Sequence, residues 1–490
     1  MIKKCLPVVL LLLIWRLPAR ADFSFDANCI DAYHAIMSLK MSEARAILQK
    51  EKQQSPKNGI VILLENYIDY FSLLASEDKN EYERLKDNRS ARISALEDNN
   101  SNSPYYRYAQ AQVYLQWAFL KAKFGDYVSS GLDARRANGL VKDNIEKYPD
   151  FLPDKIDLAL VNVLFGSIPA NLRGVTRFFG MSGNTLTGLR QLEDVRTALQ
   201  KTNYSFMNNE VVFFICTVDI NVLHKLGDYQ KLIGYLQGVD EGSLLKAYLQ
   251  SVVAFKTGHN DDAIAYIEAA PKSGGYINVP AMHYMLGCAK LSKLENPAGL
   301  LEYIREFKGT NYIKDSYLKI GYYYLLQNDE EKYQYYLKMV KTKGSDSDEK
   351  DQLALSEAND SRPNIALLKA RLYFDGGYYA KASTALQAAE TDLRLLRDRI
   401  DYFYRMGRVY DRTNRLNDAL NYYQKAIDLG KKTHYYYAAN AALSTGKIYE
   451  DRKDYKKAGE YYNEALSMRG HQFQTDINND ATAGLKRIGQ

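Results

Sequence analysis

Along most of the chain apolar residues return every three or four positions, broken at short intervals by Gly, Pro, Asn and Asp. That alternation predicts amphipathic helices joined by tight turns. The spacing predicts a helix pair over 26–57, with a second member that opens at Ser42-Glu43-Ala44, sets Leu48 four residues after Ala44 and stops at Pro56. An apolar helix over 60–76 and a polar one through Leu96 follow, and Asn99 to Pro104 form a turn cluster. From Tyr105 to Phe124 aromatic and apolar residues keep the helical spacing. Gly125-Asp126-Tyr127 then makes a bend, and a second helix runs to Tyr148 before Pro149. The stretch 151–192 departs from this rhythm, with two prolines, many glycines and apolar runs on both sides of Ile168-Pro169.

The rhythm becomes regular towards the end of the chain. Phe403, Met406, Gly407 and Tyr410 fall at the spacing W-x2-L-G-x2-Y, and Ala419 with Tyr423 supplies the A-x3-F that follows. A small residue on each helix permits close approach, and the large residues fill the space between. Gly446, Tyr449, Ala458, Tyr462 and Ala465 repeat the pattern, Ala370 takes the same small place, and Gly287 and Gly321 lie 34 residues apart. Further bends occur at Gly227-Asp228-Tyr229 and Thr257-Gly258-His259-Asn260, the latter ahead of an Ala263 and Ile267 pair. In these positions the chain resembles the tetratricopeptide-repeat (TPR) family. The resemblance implies an all-α, right-handed TPR solenoid of antiparallel helix pairs, about eight or nine units, interrupted by a non-repeat helical insert.

The insert carries a narrower resemblance. Gly166-Ser167-Ile168-Pro169, then Phe179-Gly180-Met181-Ser182-Gly183-Asn184 and Gly188-Leu189, are similar to an element of the eukaryotic TPR family that includes the inclusion body clearance protein. Ala170 stands where that family has a second proline, and Asn184 where it has an acid. The likeness implies a scaffold and brings no catalytic residue with it. The expected organisation is a signal peptide over 1–21, TPR-like helices over 22–150, the Pro/Gly-rich insert over 151–195 and middle repeats over 196–342. A charged linker over 343–362, C-terminal repeats over 363–469 and a capping helix or tail over 470–490 complete it.

Composition adjusts this picture in two places. The formal net charge is +6, but Lys3, Lys4, Arg16 and Arg20 carry four of those charges with no acid among them, which leaves +2 for the rest. A near-neutral body offers no electrostatic case for nucleic acid. Lys3 and Lys4 precede an apolar run from Leu6 to Trp15, and Ala19-Arg20-Ala21 supplies small residues at a cleavage site, so an exported chain beginning at Asp22 is expected. The run is too short to span a bilayer, and no comparable one recurs. Ala27-Asn28-Cys29 lacks the small-residue box of a bacterial lipoprotein, which points to a periplasmic or secreted protein. Cys29, Cys216 and Cys288 are too few and too far apart for a disulfide framework.

Candidate chemistry is sparse. There is no H-E-x-x-H, C-x-x-C, G-x-S-x-G or Walker-type loop, and His34, His224, His259, His283, His434 and His471 are scattered without ligand spacing. Asp346, Asp348 and Glu357 match positions 1, 3 and 12 of a calcium loop, yet Asp351 replaces the required glycine. Ser243-Leu244-Leu245-Lys246 matches S-x-x-K without its companion motifs. No catalytic, cofactor or metal residue is therefore assigned, and the chain reads as a non-enzymatic scaffold of a bacterial cell envelope. In the repeat register, the residue after each small position gives Arg371, Arg408 and Lys447, while Asn364, Asp401 and Asn440 lie six residues before those small positions and Tyr404 three before Gly407. Arg371, Arg408 and Lys447, with Asn364, Asn440 and Tyr404, are the expected contacts for an extended acidic peptide or protein. The 41 tyrosines support inter-repeat packing, or a glycan-binding envelope protein as the alternative function.

Overall fold

In the computed structural model, which describes residues 23–168, 183–223, 228–272 and 274–489, every regular element is helical. The unit is a hairpin of two antiparallel helices, and its turn is built the same way each time. One residue near the end of the first helix is left-handed: Leu39, Gly125, Gly258, Leu294, Asn328, Gly377, Asn414 and Lys453 all have φ between 58° and 89°. The next residue donates its N–H to the carbonyl five positions before, as from Lys40 to Ala35 (2.9 Å), Asp126 to Lys121 (2.8 Å), Arg415 to Tyr410 (2.8 Å) and Asp454 to Tyr449 (2.9 Å). This bond satisfies a helix-end carbonyl and turns the chain back within three or four residues. Among the described residues the hairpins so formed begin with Ala27–Met37 and Met41–Gln54 and end with Tyr437–Asp451 and Tyr455–Ser467.

The small residues act as the spacing predicts. A Cβ added to Gly407 would stand 2.5 Å from the ring of Tyr423, and one added to Gly446 would stand 2.6 Å from the ring of Tyr462. Ala419 and Ala458 answer from the second helices and are fully buried. Helix Gln474–Arg487 closes this end, and Gly484 brings it to within 2.5 Å of the opposite side of Tyr462 by the same measure. The glycines of the insert serve another crossing. Gly166, Gly183 and Gly188 let helices Pro153–Gly166 and Thr185–Leu199 touch, since a Cβ at Gly188 would lie 2.6 Å from the carbonyl oxygen of Ala159.

Two features differ from the sequence reading. The 343–362 linker contains helix Glu349–Asn359, with Asp351, Leu353, Ala354 and Ala358 buried. Asp348 caps it, and Asp351 accepts the N–H groups of Tyr312 (2.6 Å) and Asp315 (2.9 Å), so acids of the expected charged linker bind backbone. The N-terminal helices also fold back on the middle of the chain. Tyr33 and Tyr67 donate to Glu210 at 2.5 and 2.8 Å, Ile277 N–H binds Leu39 O at 2.9 Å, and Asn311 donates to Glu77 at 3.0 Å. The largest hydrophobic cluster among the described residues consequently runs from Phe23 to Ile320, across the boundaries expected at 150 and 195. Helix Gly59–Ser76 is apolar and long enough to cross a membrane, but 67% of it is buried in this core. The expected signal peptide, Pro169 with Phe179 to Ser182, and His224 with Gly227 lie outside the described residues.

Candidate functional site

Of the six predicted partner-binding residues, Asn364 and Arg371 line a polar crevice between helices Glu349–Asn359, Ile365–Asp375 and Leu396–Arg412, to which Tyr435, Tyr436 and Tyr437 also contribute, while Tyr404, Arg408, Asn440 and Lys447 lie outside its lining. Three guanidiniums and four carboxylates meet there. Arg371 Nη1 donates to both oxygens of Glu357 at 2.7 and 3.0 Å, and the hydroxyl of Tyr322 donates to the same carboxylate. Arg405 lies 2.8 Å from Asp401, one helical turn back, and both are buried. Arg397 pairs with Asp398 (3.0 Å) and Asp360 (3.2 Å) and donates to the carbonyls of Ser361 and Arg362. Burial pushes the Asp401 carboxyl up and Arg405 opposes it, whereas Asp360 is held below the usual carboxylate range by the Ser361 N–H and Arg397 against the effect of burial.

This pairing corrects the idea of a free basic stripe. Arg371 is neutralised by Glu357, which the register could not show because Glu357 belongs to the helix hidden in the supposed linker. Asn364 caps its own helix by accepting the N–H groups of Ala366 (2.9 Å) and Leu367 (3.1 Å). Tyr404 is buried, with its hydroxyl accepting from Asn440 at 2.8 Å, so those two residues hold adjacent hairpins together. Arg408 lies 4.0 Å over the ring of Phe374 and 3.9 Å from Asp375, with 30% of its side chain exposed. Lys447 reaches Asp480 at 2.8 Å and is 48% exposed. Of the six, Lys447 is the exposed one, in a surface pair of a kind that contributes little to folding, and Arg408 is partly exposed.

The other motifs resolve into structural roles. Ser243 caps helix Leu244–Lys256, Asp348 caps its own helix, and Glu357 is engaged by Arg371. His34 meets Asp240 at 3.0 Å, His283 meets Glu306 at 3.4 Å, and His259 stacks on Tyr229. Asp26, Cys29 and Glu51 bring three potential ligand atoms within 4.8 Å of one another. Asp26 already accepts the Cys29 N–H, Asn28 binds Glu51 at 2.8 Å, and burial pushes the Cys29 thiol up, away from the thiolate that a metal requires.

A second concavity went unseen in the sequence because its walls come from distant segments. Leu39, Phe71, Phe213, Tyr248, Tyr303 and Lys350 all line a recess of about 390 Å³ among the N-terminal and middle helices. Its lining is aromatic and aliphatic, with Lys256 and Lys350 among the few charges.

A tetratricopeptide-repeat family model matches residues 398–470. No curated protein matches the chain. Similar solved structures include a Rap protein complexed with competence and sporulation factor, at 12% identity over 83% of this chain and 97% of that one, with a TM-score of 0.31. They also include the APC/C hetero-tetramer Cut9-Hcn1, at 11% identity over 94% and 95% of the two chains, with a TM-score of 0.25.

Proposed function

We propose, from the premise that this chain is a tetratricopeptide-repeat protein, that it is a non-catalytic scaffold of a bacterial cell envelope that holds a protein or peptide along the inner faces of its hairpins. The observation that supports this reading is a pair of cations at equivalent positions of consecutive hairpins, Lys447 exposed and Arg408 partly so, whose acidic partners Asp375 and Asp480 are themselves nearly half exposed. Acidic side chains or a terminal carboxylate of an extended partner can replace Asp375 and Asp480 on these two groups without disturbing buried structure. Guanidinium and ammonium groups on a rigid helical frame favour such an anion because the frame has already been ordered. The envelope assignment rests on the N-terminal 21 residues and their Ala-Arg-Ala site.

The test is affinity capture with the mature chain and with the double variant Arg408→Glu, Lys447→Glu, followed by titration of the captured partner against both. A partner retained by the wild type and bound at least tenfold more weakly by the variant supports the reading. Equal binding by the two proteins removes the groove from the account.

A further inference from the structure

The recess between the N-terminal and middle helices contains a positive charge that the protein leaves unmatched. Glu77, the acid on its lining, is held by Lys123 at 2.8 Å and by Asn311 at 3.0 Å. Lys350 lies 4.7 Å from the ring centroid of Tyr312 and 5.6 Å from that of Tyr284. Lys256 forms neither a hydrogen bond nor an ion pair with any described residue, and of the two groups acting on it electrostatically Lys350 repels it, with the Cys288 thiol as the weaker, favourable influence. Its side chain is exposed to solvent where it lines the recess. An ammonium without a counter-ion, beside an apolar wall and a second cation, attracts an anion that an occupant brings in.

The walls define the rest of that occupant. Phe71, Leu74, Phe213, Val252, Phe255 and Phe307 present hydrocarbon and ring faces. The hydroxyls of Tyr284 and Tyr303 are engaged by Asp315 (2.7 Å) and the carbonyl of Asn311 (2.8 Å). The uncharged polar lining is otherwise sparse, chiefly Thr217, Asn221 and Tyr248, too little to satisfy the repeated amide groups of an extended peptide. A volume of about 390 Å³ falls in the range of small-molecule sites.

We propose that this recess binds a small apolar carboxylate, of the fatty-acid class, with its head on Lys256 and Lys350 and its hydrocarbon body among Phe71, Phe213 and Phe255. Burial and the nearby Lys350 hold the Lys256 ammonium down to about 8, in agreement with a site that lacks its counter-ion. The site is separate from Arg408 and Lys447, so either proposal can fail alone.

Calorimetric titration of the full chain with dodecanoate, 1-dodecanol and an apolar hexapeptide tests it. Dodecanoate is expected to bind at one site, with dodecanol at least tenfold weaker. Lys256→Met is expected to lower dodecanoate affinity at least tenfold and leave dodecanol unchanged. Should that variant fold poorly, Lys350→Gln serves in its place with an expected loss of at least threefold, and Val252→Trp is expected to block both ligands by filling the recess. The assignment is overturned if the wild type does not bind dodecanoate, if acid and alcohol bind alike, or if the hexapeptide binds more tightly than the acid.

Discussion

At the scale of single residues, the contacts between glycine and tyrosine set how closely two helices can lie, and they are the part of the fold most directly written in the sequence. Gly407 and Tyr423 are sixteen positions apart in one hairpin, so a local spacing identifies both. Gly407→Val is expected to destabilise by about 2–3 kcal/mol through overpacking against the Tyr423 ring. Gly139→Ala, where an added Cβ meets nothing within 4 Å, is expected to be neutral or to stabilise by up to ~1 kcal/mol through helix propensity. Urea denaturation of both variants reads the difference. Glu210 shows the opposite case. Nothing in Asn208 to Phe214 distinguishes it from a surface glutamate, since Tyr33 and Tyr67 come from 177 and 143 residues away. Burial raises its carboxyl to about 7, against the hydrogen bonds from the two tyrosines. Between an unfolded value near 4.3 and this folded one the native state holds the extra proton, so stability falls as pH rises through that window and is flat above it. Glu210→Gln is expected to reduce the stability difference between pH 5 and pH 8 by about 2 kcal/mol, measured by urea denaturation at both pH values.

At the scale of elements, the hairpins were legible and the helix Glu349–Asn359 was not. A hairpin announces itself through its small residues and its turn, whereas this helix shows only Leu353, Ala354 and Ala358 as an apolar face behind a strongly charged start. Its place in the fold comes from long-range polar contacts, with Asp351 capping helix Ile313–Leu326 and Glu357 holding Arg371. Glu357→Leu leaves Arg371 enclosed without its counter-ion and is expected to cost about 3 kcal/mol, while the double variant Glu357→Leu, Arg371→Met recovers most of that loss. A double-mutant cycle by chemical denaturation measures the coupling. Additive losses would show that the pair does not tie this helix to its neighbour. The same contacts explain why the expected basic stripe was misread: a register that follows one helix per hairpin cannot see an acid on an element outside the series.

At the scale of the whole molecule, a solenoid whose repeats touch only their neighbours should lose structure locally, repeat by repeat. The fold-back alters that expectation for the first two-thirds of this chain. Met37, Leu39 and Glu77 bond to Ser243, Ile277 and Asn311, and the shared core joins helices more than two hundred residues apart. The periodic signal could not reveal this closure, because each repeat looks the same whether or not a distant segment lies against it. The C-terminal hairpins have a core of their own, from Leu353 to Ala481, and follow the simpler rule. Ile36→Ala, at a fully buried position of the first hairpin, removes about 2–4 kcal/mol of packing. Hydrogen exchange should then show faster exchange in helices Asn208–Thr217 and Leu244–Lys256, although both lie far along the chain, with helices Tyr437–Asp451 and Tyr455–Ser467 unchanged. Protection lost only from residues 27 to 76 would mean that the closure contributes no cooperativity and that the recess walls open independently of one another.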